Sequence, residues 1–199
     1  MNTTSSAIQA LAVLGGLYLA YRGLDQWKRQ VVWTKNSELA EEAMLSANGL
    51  QTALRRIRSP MSYSDEGSSR PQNSDEAEEV KRHLNYKFTP LERLQTERAA
   101  LSRFCDADAR CRVRFPGVVP YFETLRAALV DVQSAASVRM QLANQDPYDQ
   151  RHRDEFSMKL ERTVLGTDTP ESPDELGQRV DGAVLGLAKA LKEYVKELP

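Results

Sequence analysis

The side chains that most often carry catalysis or hold metals are few in this sequence, and their spacing suits neither role. His83 and His152 are far apart along the chain, and neither belongs to a His-x-x-x-His or His-Glu pair that could hold zinc. Cys105 and Cys111 enclose the sequence DADAR, which separates them too widely for the Cys-x-x-Cys pair of a metal knuckle or redox site. We therefore expect exposed histidines and reduced, partly buried thiols on helices.

Acidic residues make no stronger case for a catalytic or metal site. Asp106 and Asp108 alternate as in a calcium loop, but the glycine turn and the distal glutamate of such a loop are missing. Glu41 and Glu42 could serve a di-metal helical bundle only if Glu-x-x-His motifs lay on other helices, and the sequence has none. It also lacks a Gly-rich phosphate loop and a nucleophile elbow. The sequence thus predicts a protein that is not an enzyme, with no catalytic residue, metal or cofactor.

The segment best suited to a specific interaction is LRRIRSPMSYSDEGSSRP, residues 54–71. It places arginines at the predicted end of a helix, where the helix dipole favours cations, directly before a loop with a tyrosine and further charges. In one interpretation the arginines bond the last carbonyls of the helix and pair with acids of the loop. In the other, the loop forms a concave ligand site. The candidate interaction residues are Arg55, Arg58, Tyr63, Glu66 and Arg70.

The N-terminal residues predict where the protein resides. Residues 2–21 carry no charged side chain, and residues 7–21 are nearly all apolar. A helix of about 20 residues spans the roughly 30 Å hydrocarbon layer of a bilayer. We therefore predict a tail over residues 1–6 and a transmembrane helix over residues 7–24; a core or partner-docking helix and a cleaved signal peptide are the alternatives. The interfacial anchors are Tyr21, Arg22, Trp27, Lys28 and Arg29, whose positive charges predict a cytoplasmic C-terminal domain.

Small residues recur on one face of this helix. Ala12, Gly16 and Ala20 are spaced every four residues, so a second helix could approach closely along them. They are the candidate contact face for a homo-oligomer, with the alternative that they are small residues without a partner.

Apolar side chains at helical spacing follow throughout the rest of the chain. The clearest stripe consists of Leu39, Ala43, Ala47, Leu50, Leu54 and Ile57. Ser59–Pro60 should end this helix, and residues 59–74, rich in Ser, Pro, Gly and Asn, are predicted to form a loop. The fold class is therefore all-α. The transmembrane helix is expected to continue through residues 25–58 into an antiparallel bundle completed by residues 75–199.

Start and stop signals divide the remaining residues into helices. One is expected from Asn73 or Ser74, with a kink or a second helix at Thr89–Pro90. The others are expected over residues 121–143, from Asp146–Pro147 to Gly166 with Phe156, Leu160 and Val164 on its apolar face, and from residues 172–175 onward.

Four segments carry a resemblance to a known family. They are Trp33 with ELAEE (38–42), LRRIRSPMSYSDEGSSRP (54–71), ERLQTERAALSRF (92–104) and RVDGAV (179–184). Together they resemble a family of uncharacterised bacterial proteins with one short N-terminal hydrophobic helix and a cytoplasmic helical domain, and the Arg-Ser-Pro turn before the Glu-Gly-Ser loop is the specific feature. The resemblance covers most of residues 20–190. It implies a helical protein anchored in the bacterial inner membrane and carries no known activity.

Three functions remain open from the sequence. The first is a single-pass membrane-anchored interaction or scaffold protein that contacts lipid, an unidentified protein and, through its N-terminal helix, a second copy. The second is a soluble assembly subunit whose apolar helix docks in a protein partner. The third is a ligand sensor or hydrolase that uses the segment from Arg55 to Arg70. The near balance of 27 basic and 28 acidic residues argues against a dedicated nucleic-acid-binding protein.

Overall fold

The computed structural model describes residues 3–63, 65–72, 75–145, 155–166 and 173–195, and only the backbone of residues 3–10. Within these ranges all regular structure is helical, which confirms the all-α prediction. The helices are α1 (Thr3–Ile57), α2 (Glu78–Thr96), α3 (Arg98–Arg114), α4 (Val119–Gln145), α5 (Glu155–Leu165) and α6 (Glu175–Val195), with a 3-10 turn at Pro116–Val118.

The core forms along the second half of α1. The predicted stripe is confirmed from Ala43 to Ile57, whose small and large apolar side chains are buried against α3 and α6. Phe104 of α3 and Phe122 of α4 meet within this core with ring centroids 5.5 Å apart. Ion pairs join Arg56 to Glu97 at one end of α3 and Glu42 to Arg110 at the other. Helices α1 and α3 are therefore antiparallel, as a bundle requires.

The first half of α1 stands clear of the bundle. Every residue from 11 to 30 is exposed, including Leu14 (62%) and Leu17 (63%). The bundle begins near Trp33, whose indole Nε1 donates to the carbonyl oxygen of Val195 at 2.8 Å. The prediction of a spanning helix over residues 7–24 is not supported: among the residues searched, which are those the structure describes, no helix is long and apolar enough to cross a membrane.

Two expectations about α2 differ from the structure. Residues 75–77 are not helical and α2 begins at Glu78, while Asn73 and Ser74 lie outside the described residues. The chain does not divide into two helices at Thr89–Pro90, because α2 continues through Pro90 to Thr96 and the break follows at Glu97. Pro90 has no backbone N–H, so α2 lacks one of its main-chain hydrogen bonds there, and the others remain. Val80, Leu84 and Thr89 are buried before Pro90, and Leu94 packs against the main core after it, so both segments of α2 are held in place.

The predicted C-terminal end of α5 and the predicted start of α6 are confirmed, whereas the side chain of Phe156 is not buried as expected. Helix α5 ends at Leu165 before Gly166, which has a φ of +54°. Helix α6 begins at Glu175, and Asp174 Oδ1 accepts the backbone N–H of Gly177 at 3.0 Å as a cap. Phe156, predicted on the apolar face of α5, is 54% exposed, whereas Val164 is buried and Leu160 packs against the same cluster, as predicted. Asp146–Pro147 and Ser172 lie outside the described residues.

The two thiols on α3 differ in environment. Cys111 is fully buried, and burial together with the nearby Asp108 carboxylate raises its pKa to about 11. Cys105 is exposed. The prediction of two partly buried thiols was therefore wrong for both residues, because Cys111 is fully buried and Cys105 is exposed.

Alkylation should separate these thiols. In the native protein near pH 8 we expect iodoacetamide to modify Cys105 and to spare Cys111, because a thiol with a pKa of about 11 is protonated and has no solvent access. Tandem mass spectrometry of the chymotryptic peptide that carries both cysteines measures this, with both residues modified in urea as the control. Equal labelling of the two residues in the native protein would show that α3 is not packed as described.

Candidate functional site

Arg58, at the end of α1, ties three helix ends together. Its Nη1 and Nη2 atoms donate to both carboxylate oxygens of Asp174 at 2.9 and 2.6 Å. Its Nε donates to the carbonyl oxygen of Thr163 at 2.8 Å, and Nη2 reaches that of Arg162 at 3.3 Å. The side chain of Arg58 is only 6% exposed. It thus caps the last turn of α5 with charge and pairs in forked geometry with the residue that begins α6.

A groove runs along the outer side of this ion pair, between the end of α1 and the start of α6. Its volume is about 150 Å³. The rim is a second, solvent-exposed pair in which Arg55 Nη2 lies 3.0 Å from Asp181 Oδ1, and Gln51 Nε2 donates to the same oxygen at 2.7 Å. The groove is lined by Gln51, Leu54, Arg55, Arg58, Asp174, Leu176, Gly177, Gln178, Val180 and Asp181. It is a small groove with a mixed polar and apolar lining, and its charged side chains are paired with one another.

Arg93 of α2, which the sequence did not suggest, organises the loop after α1. Its guanidinium donates to the carbonyl oxygens of Arg56 at 3.1 Å and Ser59 at 2.8 Å, near the end of α1. It also pairs with Glu66 at 2.6 Å. The hydrogen bond from Arg93 holds the pKa of Glu66 below its ordinary value despite partial burial. The sequence-based interpretation assigned these bonds, and the pairing with an acid of the loop, to the arginines in the last turn of α1; it was wrong, because Arg93 of α2 takes both roles.

The rest of the loop is held against α2. Arg70 is buried and forms a forked pair with Glu76, with distances of 3.0 and 2.5 Å. Gly67 has a φ of +82°, and its N–H donates to Glu92. A Cβ at Gly67 would lie 2.0 Å from the backbone oxygen of Asn85, so only glycine fits this approach.

The structure therefore does not bring the five predicted loop residues into one pocket. Arg55 and Arg58 face α6, Glu66 faces Arg93, and Arg70 faces Glu76, while Tyr63 is 79% exposed. The ligand-sensor or hydrolase hypothesis required Arg58, Tyr63, Glu66 and Arg70 to line a common cavity. In this arrangement three of them serve as structural cross-links.

Asp174 makes the Arg58 link sensitive to pH. Burial opposes its ionisation, but the hydrogen bonds from Arg58 and from the Gly177 N–H outweigh burial and hold its pKa below the ordinary value of 3.8. A carboxylate with a depressed pKa stabilises the fold above its unfolded-state pKa, and this contribution is lost as the pH falls toward the folded-state pKa.

We expect the free energy of unfolding to fall on acidification from about pH 5 to pH 3, and Asp174→Asn to remove part of that dependence. Urea titrations followed by circular dichroism at a series of pH values measure it. Asp181→Asn, at the exposed pair, is the matched control and should leave the slope with pH nearly unchanged. If both variants altered the slope equally, the Arg58–Asp174 link would not have the assigned role.

No cluster of three or more metal-ligating side chains occurs among the residues that the structure describes. Of the two histidines, His83 is half-buried rather than exposed as expected, and His152 lies outside the described residues. No model of a known protein family, no curated protein and no solved structure matches this chain.

Proposed function

We propose that the protein is a membrane-anchored helical interaction or scaffold protein, with the first half of α1 inserted in the bacterial inner membrane. The observation that carries this proposal is the apolar exposure of that segment on all sides. Successive residues of a helix are rotated by about 100°, so Val13, Leu14 and Leu19 point to three sides, roughly 100 to 140° apart. Burying such a segment in the bundle or against a single flat partner would leave other apolar sides in water. A lipid environment covers all of them at once.

The flank of this segment suits a membrane surface. Tyr21 and Trp27 are exposed at the point where charges begin, as interfacial aromatic residues are in membrane proteins. Asp25 pairs with Arg29 at 3.0 Å, so this acid is offset, and Arg22 and Lys28 add further positive charge. By the positive-inside rule, the bundle then lies on the cytoplasmic side.

Extraction of membranes with alkaline carbonate tests the anchor. We expect the full chain to stay in the membrane pellet, together with a known integral membrane protein as the control. Release into the supernatant with peripheral proteins would contradict insertion.

A second candidate function, in which the first half of α1 packs against another protein helix, is favoured by its small-residue face. Ala12, Gly16 and Ala20 are exposed, and a Cβ at Gly16 would meet nothing within 4 Å. The occupant could be a second copy or the helix of an assembly partner, because small side chains allow close backbone approach.

Gly16→Leu tests this contact. If α1 self-associates through the small-residue face, we expect the crosslinked dimer in membranes to decrease strongly in Gly16→Leu, because the leucine side chain separates the backbones. Gly15→Leu, at an exposed glycine about 100° from Gly16 around the same helix, is the matched control and should retain the dimer. A monomer band that is identical in all three proteins would remove self-association through this face.

A further inference from the structure

Arg139 of α4 is a buried arginine whose terminal nitrogens lack partners. The residue is 4% exposed, and its Nε donates to Glu161 Oε1 at 2.9 Å. Its Nη1 and Nη2 atoms are buried, and neither has a hydrogen-bond partner among the described residues. Buried polar groups are almost always hydrogen-bonded, and an exception points to a bound water, ion or ligand.

The two other buried arginines show what this guanidinium lacks. Arg58 places its Nη atoms on the two oxygens of Asp174, and Arg70 places its own on the two oxygens of Glu76. In both cases the fork of the guanidinium meets a pair of oxygens that carry negative charge. The same fork of Arg139 is buried to a similar degree and meets no such pair of oxygens among the described residues. The group that would complete it is an oxyanion with two oxygens in reach.

The surroundings of Arg139 favour an anion. Glu161 is the acid of this cluster, and it is shared between Arg139 and Lys87, whose Nζ lies 2.5 Å from the same Oε1 atom. His83 lies within electrostatic range of Lys87 on its own helix, of Arg139 on α4 and of Glu161 on α5. Burial, followed by the charges of Lys87 and Arg139, lowers the pKa of His83. Among the described residues, one carboxylate therefore balances two permanent cations here, and a further anion would be electrostatically favoured.

Tyr86 marks the side from which a ligand could enter. Its ring stacks on the guanidinium, with the Arg139 Cζ atom 4.9 Å from the ring centroid. The tyrosine is 38% exposed, so the ring is partly in solvent. A half-exposed aromatic side chain can change rotamer at modest cost, which would uncover the guanidinium without disturbing the core.

We propose that Arg139 forms the base of a binding site for a small oxyanion, a phosphate or carboxylate group held by both Nη atoms. Lys87 and His83 lie at its edge, and the ring of Tyr86 moves aside to admit the ligand. The site is formed by α2, α4 and α5, away from the apolar half of α1, and it does not depend on the membrane proposal.

Titration of the full chain in uncharged detergent with inorganic phosphate tests this site. The ionic strength is held constant with chloride, and the signals followed by NMR are the Arg139 Nε–H group and the His83 ring, assigned with His152→Gln. We expect saturable shifts and a rise in the pKa of His83, since a bound anion stabilises the imidazolium form. A parallel titration with acetate distinguishes the ligand class. Saturation by phosphate alone indicates a tetrahedral oxyanion, and saturation by both indicates that a carboxylate also fits.

Three variants decide between a site and non-specific screening. Arg139→Met should abolish saturation, whereas Arg103→Met removes an exposed positive charge elsewhere and should preserve it. Should Arg139→Met fail to fold, Lys87→Gln is the second variant, and we expect it to raise the half-saturating phosphate concentration severalfold while the fork of Arg139 stays intact. Shifts that rise linearly with phosphate, or that persist unchanged in a folded Arg139→Met or in Lys87→Gln, would overturn the proposal.

Discussion

Replacing Arg58 with methionine should lower the free energy of unfolding by about 3 to 5 kcal/mol, the range found when one partner of a buried ion pair is removed. Methionine keeps much of the arginine's apolar length, so the change isolates the guanidinium. Its loss leaves Asp174 half-buried without its main partner and uncaps the carbonyl groups of Arg162 and Thr163 at the end of α5. Three helix ends would lose their common link.

Arg55→Met is the matched control for this prediction. Arg55 lies one turn earlier on α1 and also pairs with an aspartate of α6, but both members of the Arg55–Asp181 pair are exposed. Exposed pairs contribute about 0 to 1 kcal/mol, so this variant should be nearly neutral. Urea unfolding followed by circular dichroism measures both variants. Equal losses in the two would mean that burial of Arg58 does not determine its contribution.

Introducing two arginines into the apolar half of α1 should release the protein from membranes. Each charge near the centre of a bilayer costs about 2.5 to 3.5 kcal/mol. The double variant Leu14→Arg, Leu17→Arg should therefore lower the ratio of membrane-bound to free protein by a factor on the order of 10⁴ to 10⁵. Flotation with lipid vesicles gives that ratio directly.

The control for the arginine variant uses leucines that are exposed on the bundle. Leu45 of α1 and Leu185 of α6 are exposed to a similar extent as Leu14 and Leu17. Leu45→Arg, Leu185→Arg adds the same charge outside the segment proposed to enter lipid, and flotation should be unchanged or slightly increased. If both double variants floated equally well, the apolar half of α1 would not be the anchor.

The helices with regular apolar spacing could be predicted from the sequence. The stripe from Ala43 to Ile57 is buried as its spacing indicates, and the Pro173–Asp174–Glu175 signal marks the start of α6. These features are local, because each depends on residues within one or two turns of the helix. The break between α2 and α3 could not be placed in this way. Pro90 is the stronger local signal, yet packing of the whole helix decides the outcome.

The cross-links of the candidate site were beyond sequence reasoning for a different reason. Arg58 and Asp174 are separated by 116 positions, and Arg93 and Glu66 by 27. Helix dipole arguments correctly place cations at the end of α1 but give no information about which acid each one meets. The sequence contains many arginines and acidic residues, and their neighbours in the sequence do not indicate which of them form pairs. Only the tertiary arrangement of the helices chooses among them, and for the same reason the buried, incompletely bonded Arg139 gave no signal.

The central claim is that the first half of α1 lies in lipid, and tryptophan depth measurements test it most directly. One variant keeps Trp27 as its single tryptophan (Trp33→Phe), and a second carries Leu17→Trp with both native tryptophans changed to phenylalanine. In vesicles containing phospholipids brominated at different depths, we predict that Trp27 is quenched most by bromine near the headgroups and the tryptophan at position 17 by bromine deep in the acyl chains. Absence of quenching at both positions, or equal shallow quenching at both, would contradict insertion of this helix.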